Sequence, residues 1–343
     1  MPDGNSRVDS TVLSWLMHLS VLDQTPIPSG STAGEALRNS IDLARRCEQF
    51  GYHRYWVAEH HNTGGLAGSS PEVLIGHIAE ATERIRVGSG GVMMPHYSPY
   101  KIAENFRVLS SLHPGRIDVG VGRAPGSDQA TMVALAPDHQ PISVQKYPAM
   151  VMELDGFLHD DLAETSPFHG RVAATPVPEA PPQLWLLASS PDSASYAAHF
   201  GLPLAFADFI SQSDGAVIAA QYREHYQPSE RCPEPQVLVA ASVICAETHE
   251  EADALAAGVQ LWRRRGLQGP IPSPADVTAD VPGPLSVPPS RKPMIQGNPS
   301  TVAANVTAMA DRYGADEFMA VTITWSHEAR VRSYELLAEQ LLD

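Results

Sequence analysis

Apolar residues recur along this chain in two rhythms. Short, nearly continuous apolar runs at Val12–Leu22, Tyr52–Ala58, Ile85–Gly88, Ile117–Val121, Leu184–Leu187, Leu204–Ala207, Val237–Cys245 and Glu317–Thr322 alternate with longer stretches whose apolar positions follow helical spacing. The first rhythm suits a strand buried on both faces, the second an amphipathic helix, and their alternation predicts strand–helix units sharing a parallel sheet. Helix ends are written in the sequence as well. Thr32-x-x-Glu35 is a capping box, followed by Leu37, Ile41, Ala44 and Cys47 on one face and a stop at Phe50-Gly51. Ser70-Pro71 and Ser98-Pro99 open two more helices, because proline in the first turn loses an amide that would be unpaired anyway, and His113-Pro114-Gly115 closes the second. Further helices are predicted near residues 143–158, Ser190–Phe200 and Asp214–Gln227.

The eight units predict an α/β fold, a (β/α)8 TIM barrel, which takes about 250 residues plus insertions. The clearest insertion is 266–298, where eight prolines argue against a regular helix and for a long loop or lid; a linker between two domains is the alternative. The expected organisation is a polar tail at 1–10 and one barrel domain over 11–343.

Composition narrows the function. Against 39 Asp and Glu stand 23 Lys and Arg, a formal charge of -16, so bare nucleic acid and anionic membrane surfaces are unfavourable partners. The three cysteines, Cys47, Cys232 and Cys245, make no disulfide framework and no metal-binding spacing, which fits a reducing cytoplasm. The apolar stretch 12–22 is broken by Ser14, His18 and Ser20 and lacks a basic leader, so it reads as neither a signal peptide nor a membrane span.

In such a barrel the chemistry sits where strands end, so the candidates are the residues immediately after each strand. After the fifth come Ser189, Ser190 and Ser193 at a helix start, where free amides, the helix dipole and hydroxyls can hold a phosphate; Ser190 as a plain helix cap is the competing role. Arg123, at the end of the neighbouring strand, adds a guanidinium suited to phosphate. Gly90-Gly91 after the third strand permits either close approach of a flat ring or a tight turn. Glu59-His60-His61 after the second offers an imidazole for proton transfer, with the other ring and the carboxylate orienting it and pairing with Arg123. The two adjacent histidines point to opposite sides of a strand and no HxH or HExxH completes a zinc site, so no metal is expected. Gly120-x-Gly122 with Gly126 lacks the spacing and the following helix of a dinucleotide fingerprint. Asp23, Asp118 and Asp128 read as solvated or salt-bridged rim acids, and Met150, Met152 and Trp262 as packing residues.

YHRYWVAEHHN, GSGGVMMPHYSP, LHPGRIDVGVGRAPGSD and LLASSPDSASYAAHFGLP, in this order and each at a predicted strand end, resemble the bacterial luciferase-like flavin monooxygenases over nearly the whole chain after residue 10. The resemblance implies a (β/α)8 barrel that binds FMN noncovalently, usually as a homodimer. It implies that Arg123, Ser189, Ser190 and Ser193 hold the FMN phosphate, that Gly90-Gly91 forms a cis peptide behind the flavin ring, and that His60 handles protons, with Glu59 and His61 beside it. Gly122 stands where the light-emitting members have a reactive cysteine, and 266–298 does not reproduce their mobile loop, so the likeness is to the non-luminescent branch, through EHHN and GRAPGSD, with relatives in natural-product pathways. The activity expected is two-component oxygenation of a small organic substrate by O2 and reduced FMN, the latter supplied by an NAD(P)H-dependent flavin reductase. Met94, His96, Tyr97 and Trp325 are placed by position in the substrate pocket. A deazaflavin-dependent hydride transferase and a non-catalytic flavin-binding protein are the alternatives.

Overall fold

The computed structural model describes residues 17–124, 128–136, 139–280 and 292–342. The tail at 1–10, the start of the first predicted strand, Pro125-Gly126-Ser127 and residues 281–291 of the insertion lie outside them. The described strands are β1 (His18–Asp23), β2 (Arg54–Val57), β3 (Arg86–Met93), β4 (Ile117–Gly122), β5 (Gln183–Ala188), β6 (Leu204–Ala207), β7 (Val237–Cys245), β8 (Ile295–Gly297) and β9 (Glu317–Val321). The helices are α1 (Ala33–Gln49), α2 (Pro71–Ala81), α3 (Pro99–Leu112), α4 (Gln129–Leu135), α5 (Tyr147–His159), α6 (Pro191–Phe200), α7 (Gly215–Glu224), α8 (His249–Arg264), α9 (Pro274–Asp280), α10 (Pro299–Tyr313) and α11 (His327–Leu341).

Every pairing between these described strands is parallel. The order β6-β5-β4-β3-β2-β1-β9-β7 closes through β6–β7 into an eight-stranded barrel, and the short β8 pairs only with the far end of β7. This is the predicted TIM-like barrel. The capping box forms, with Thr32 Oγ1 accepting from Glu35 N and Glu35 accepting from Thr32 N. No described helix is long and apolar enough to cross a membrane.

Two expectations about elements change. β3 does not stop at Gly88 but runs through the glycine pair to Met93, because the pair lies in the sheet beside β4, with a register shift between Gly90 and Val92. There is no room there for side chains: a Cβ on Gly91 would stand 2.6 Å from the Gly120 carbonyl oxygen, and one on Gly120 2.2 Å from that of Ser89. The insertion does carry regular structure, α9 and β8, since Pro274 falls at the first helical position, where proline is tolerated. Its first part is stitched to the loop after β1 by Ile271 N to Ile27 O and Ser29 N to Ile271 O, both 2.8 Å.

Alternation along the strands divides the interior into two layers. Odd-numbered Tyr55 and Val57 of β2, like Val237, Val239 and Val243 of β7, face the helices, while Trp56, Leu238 and Met319 face the barrel axis. The amino-terminal end of the barrel is plugged by charge. Arg54 donates to Glu317 (2.7 Å) and Asp118 (2.8 Å), Ser20 donates to Glu317, and Trp56 Nε1 donates to Asp118 (2.9 Å). The Arg54 guanidinium also lies 4.8 Å from the Trp185 ring centroid. Asp118 is salt-bridged, as expected, but near the amino-terminal end of β4 and not at the rim where the strands end; Asp23, the last residue of β1, is salt-bridged too, to Arg330 at 2.6 Å, and buried. Met152, 46% exposed, does not pack as predicted. Although burial disfavours the charged form, Arg54 and Arg86 hold the Asp118 carboxyl below its usual range.

Asp118→Ala leaves the buried Arg54 with one counter-charge, and is expected to cost about 3–5 kcal/mol of stability in urea unfolding. A loss below about 1 kcal/mol would show that the charged plug is not what holds this end of the barrel.

Candidate active site

Above the charged plug the barrel opens into a cavity of ≈ 830 Å³. Its walls are the inward positions of the strands, among them Leu22, Trp56, Leu187, Leu238 and Met319, so the lower part is apolar. Trp56, Ala58 and His60 share one face by strand alternation, which is why His60 and not Glu59 follows Trp56 into the cavity.

Glu59 turns the other way and is almost wholly buried. Its Oε1 accepts from Tyr97 Oη and is hydrogen-bonded to His61 Nε2, each at 2.6 Å, and its Oε2 accepts from Met93 N at 2.9 Å. The carboxylate thus joins the end of β2 to the end of β3. It does not pair with Arg123, as the sequence led one to expect, because its oxygens are already committed on the far side of the strand. His61 lines the cavity edge while held by Glu59.

His60 is different. Its Nδ1 is buried and has no hydrogen-bond partner among the described residues. Burial pushes its pKa down to about 4, aided by neighbouring His61 and opposed by Glu59. Beside it, Asn62 in the left-handed region (φ 51°) donates to Asp128 at 2.8 Å, tying the β2 loop to the loop after β4. That bond and those from Thr131 pull the Asp128 carboxyl down to about 2.

On the same rim, two strands further round, Arg123 Nη2 donates to Ser190 Oγ (3.3 Å) and Nη1 to Asp192 Oδ2 (2.9 Å). Ser190 occupies the N-cap position of α6 yet makes no capping bond, so its hydroxyl serves the arginine and the helix start keeps no side-chain acceptor. Ser189 and Ser193 line the same corner, and Gly90 lies on the wall between this corner and His60. The peptide Gly90–Gly91 is cis.

The structure thus gathers His60, His61, Gly90, Arg123, Ser189, Ser190 and Ser193 around one cavity. It does not bring Met94, His96, Tyr97 or Trp325 to it. Met94 and His96 turn into the core in a short 3-10 helix after β3, Tyr97 comes next and points toward Glu59, and Trp325 is spent donating to Ser29 O at 3.0 Å. In their place the cavity is lined by residues that sequence reasoning passed over: Phe209 and Ile210 after β6, and Trp262, Arg263 and Leu267 around the end of α8. Trp262, taken for packing, packs and lines at once, with its indole N–H on Gly269 O at 2.9 Å. The inward alternation of β7 and β9 was the signal available for Leu238, Ala240, Met319 and Val321.

A sequence model described as luciferase-like monooxygenase matches residues 17–334. The N-acetyl-S-alkylcysteine monooxygenase of Bacillus subtilis (strain 168) is 35% identical over 95% of this chain and 99% of its own. Among solved structures, apo-MsnO8 superposes with a TM-score of 0.87 at 37% identity, covering 94% of this chain and 98% of that one. The oxygenating constituent of 3,6-diketocamphane monooxygenase from Pseudomonas putida, solved in complex with FMN, shares the fold with a TM-score of 0.70 at 17% identity, covering 95% and 98%.

Because the pKa of His60 is low in the folded chain, its ring stays neutral from pH 8 down to about 5, and its NMR titration should centre near 4. On acidification the unfolded chain binds the extra proton first, so stability falls as pH drops from about 6.5 towards 4. A His60 midpoint near 6.5 would contradict the buried, unpartnered placement.

Proposed function

This chain belongs to the luciferase-like monooxygenase family, and we propose that it oxygenates a small organic substrate with O2 and reduced FMN. One observation carries the reading: a single cavity runs from a guanidinium and serine hydroxyls at a helix start, past a stretch of bare main chain at Gly90, to an imidazole with an uncommitted buried nitrogen. These residues fit the flavin. Arg123 and Ser190 offer charged and neutral donors for a phosphate, Ser189 and Ser193 add hydroxyls, and α6 contributes its dipole. Gly90 offers a flat ring a wall without a side chain.

Bound reduced FMN would supply the activation of dioxygen. The chain's own residues do the rest. The apolar walls at Leu187, Leu238 and Met319 exclude water from the reacting region. His60, neutral at physiological pH, can accept or return a proton at Nδ1. Glu59 holds its loop in place by way of His61 and Tyr97 and is a positioning residue. Phe209, Trp262 and Leu267 would offer the substrate a mostly apolar surface. The name of the Bacillus relative makes thioethers the first substrate class to try. A separate NAD(P)H-dependent reductase would supply the reduced flavin, and the active form would be a cytoplasmic homodimer.

The test supplies the purified chain with FMN, NADH, a flavin reductase and ¹⁸O2, and offers thioethers, including N-acetyl-S-alkylcysteines, and ketones. One ¹⁸O atom in the product is expected, with His60→Ala abolishing product while FMN still binds. Arg123→Ala should weaken FMN binding by about 1.5–3 kcal/mol in a fluorescence titration, the range for a hydrogen bond to a charged group. FMN binding without labelled product across the panel would sink the oxygenase reading, and unchanged affinity in Arg123→Ala would remove the phosphate assignment.

A further inference from the structure

The Arg123 guanidinium has two partners at the cavity rim, and one of them is a carboxylate. Asp192 comes directly after Pro191 in the first turn of α6, and its Oδ2 accepts from Nη1 at 2.9 Å while Ser190 accepts from Nη2. An acid in the first turn of a helix is commonplace, since it complements the dipole. Its contact with a cavity-lining arginine is not required for that purpose. Here the carboxylate engages one of the guanidinium nitrogens that a phosphate entering this corner could use. The pair is open to water, with the Asp192 side chain 63% exposed and that of Arg123 27%, so it can separate readily.

We propose that Asp192 is a specificity-determining residue that works against phosphate: it competes for Arg123 when the corner is empty and repels the dianion once the corner is filled. The inference rests on the flavin reading of the cavity. A phosphate dianion on Arg123 would compete with the carboxylate for the guanidinium and would remain beside that negative charge once bound. Both effects weaken the hold on the phosphate and leave the ring's contacts with the apolar walls untouched. Asp192 therefore favours a flavin that exchanges each turnover, as a cosubstrate must, over one that stays resident. It also lowers the advantage that a phosphorylated flavin has over an unphosphorylated one.

Asp192→Asn keeps the size of the side chain and its place on an exposed helix turn. The full chain, wild type and variant, is titrated with oxidised FMN and with riboflavin by fluorescence, and FMN release is monitored by stopped flow. The variant is expected to bind FMN about tenfold tighter, as befits removing one charge near a dianion at a wet surface, with slower release and riboflavin affinity changed by less than about twofold. FMN affinity that is unchanged or weaker in the variant overturns the inference, and so does an equal gain for both flavins. Binding of neither flavin to either protein is a different failure: it overturns the flavin reading itself and this inference with it.

Discussion

The buried carboxylate of Glu59 is the constraint on which the site depends. A carboxylate removed from water must be met by donors, and here they come from three places: a tyrosine hydroxyl, a backbone amide at the end of β3 and an imidazole two residues on. Together these bonds lock the loop after β2 against the end of β3. Because strand neighbours face opposite ways, commitment of Glu59 to the outer side obliges His60 to face the cavity. The imidazole acquires its unusual state from this arrangement: it is buried enough to stay neutral, yet it is given no partner of its own.

The barrel separates stability from chemistry along its axis. At the amino-terminal end Arg54, Asp118 and Glu317 satisfy one another with Ser20 and Trp56, all nearly or fully buried, and the half-buried Arg86 pairs with Asp118 from the edge of the set. At the other end the polar groups are left incomplete. Ser190 does not cap its helix, Arg123 is held by a partner open to solvent, and His60 Nδ1 has none. Trp56 belongs to both regions, for its indole N–H is fixed by Asp118 while its ring lines the cavity. The charged plug thereby sets the position of part of the cavity wall.

Local signals were the ones legible in the sequence. Thr32-x-x-Glu35, Ser70-Pro71 and Ser98-Pro99 act within a single turn of chain, and the helices they announce are present. Arg123 and Ser190 could be paired in advance because adjacent strand ends must be neighbours, and their contact is there. The failures concern direction. Met94, His96 and Tyr97 come after a strand end as a pocket residue would, but the turn after Met93 rotates them into the core and toward Glu59. Asp118 looked like a rim acid because its burial depends on Arg54 and Arg86, which are distant in sequence. Trp262 was read as packing alone because helix periodicity cannot say which turn of α8 overhangs the barrel mouth, and Leu267, in the turn after α8, carried no signal of its own.

The two kinds of wall also differ in how freely they can discriminate. Strand-borne residues such as Leu238 and Met319 sit in the inner core cluster with Trp56 and Trp185, so enlarging or shrinking them disturbs the packing that closes the barrel. Phe209, Ile210 and Leu267 come from connecting segments; Phe209 still packs on the inner cluster and Leu267 on the cluster around Trp262, whereas Ile210 is 61% exposed and can change with little consequence for the strands beneath. The part of the cavity wall that can vary most freely therefore lies at the mouth after β6, while the strand walls are tied to the packing of the barrel. The beginning of the insertion belongs to this mouth, because Gly269 accepts from Trp262 and Ile271 is stitched to Ile27, so its path and the orientation of the tryptophan are fixed together.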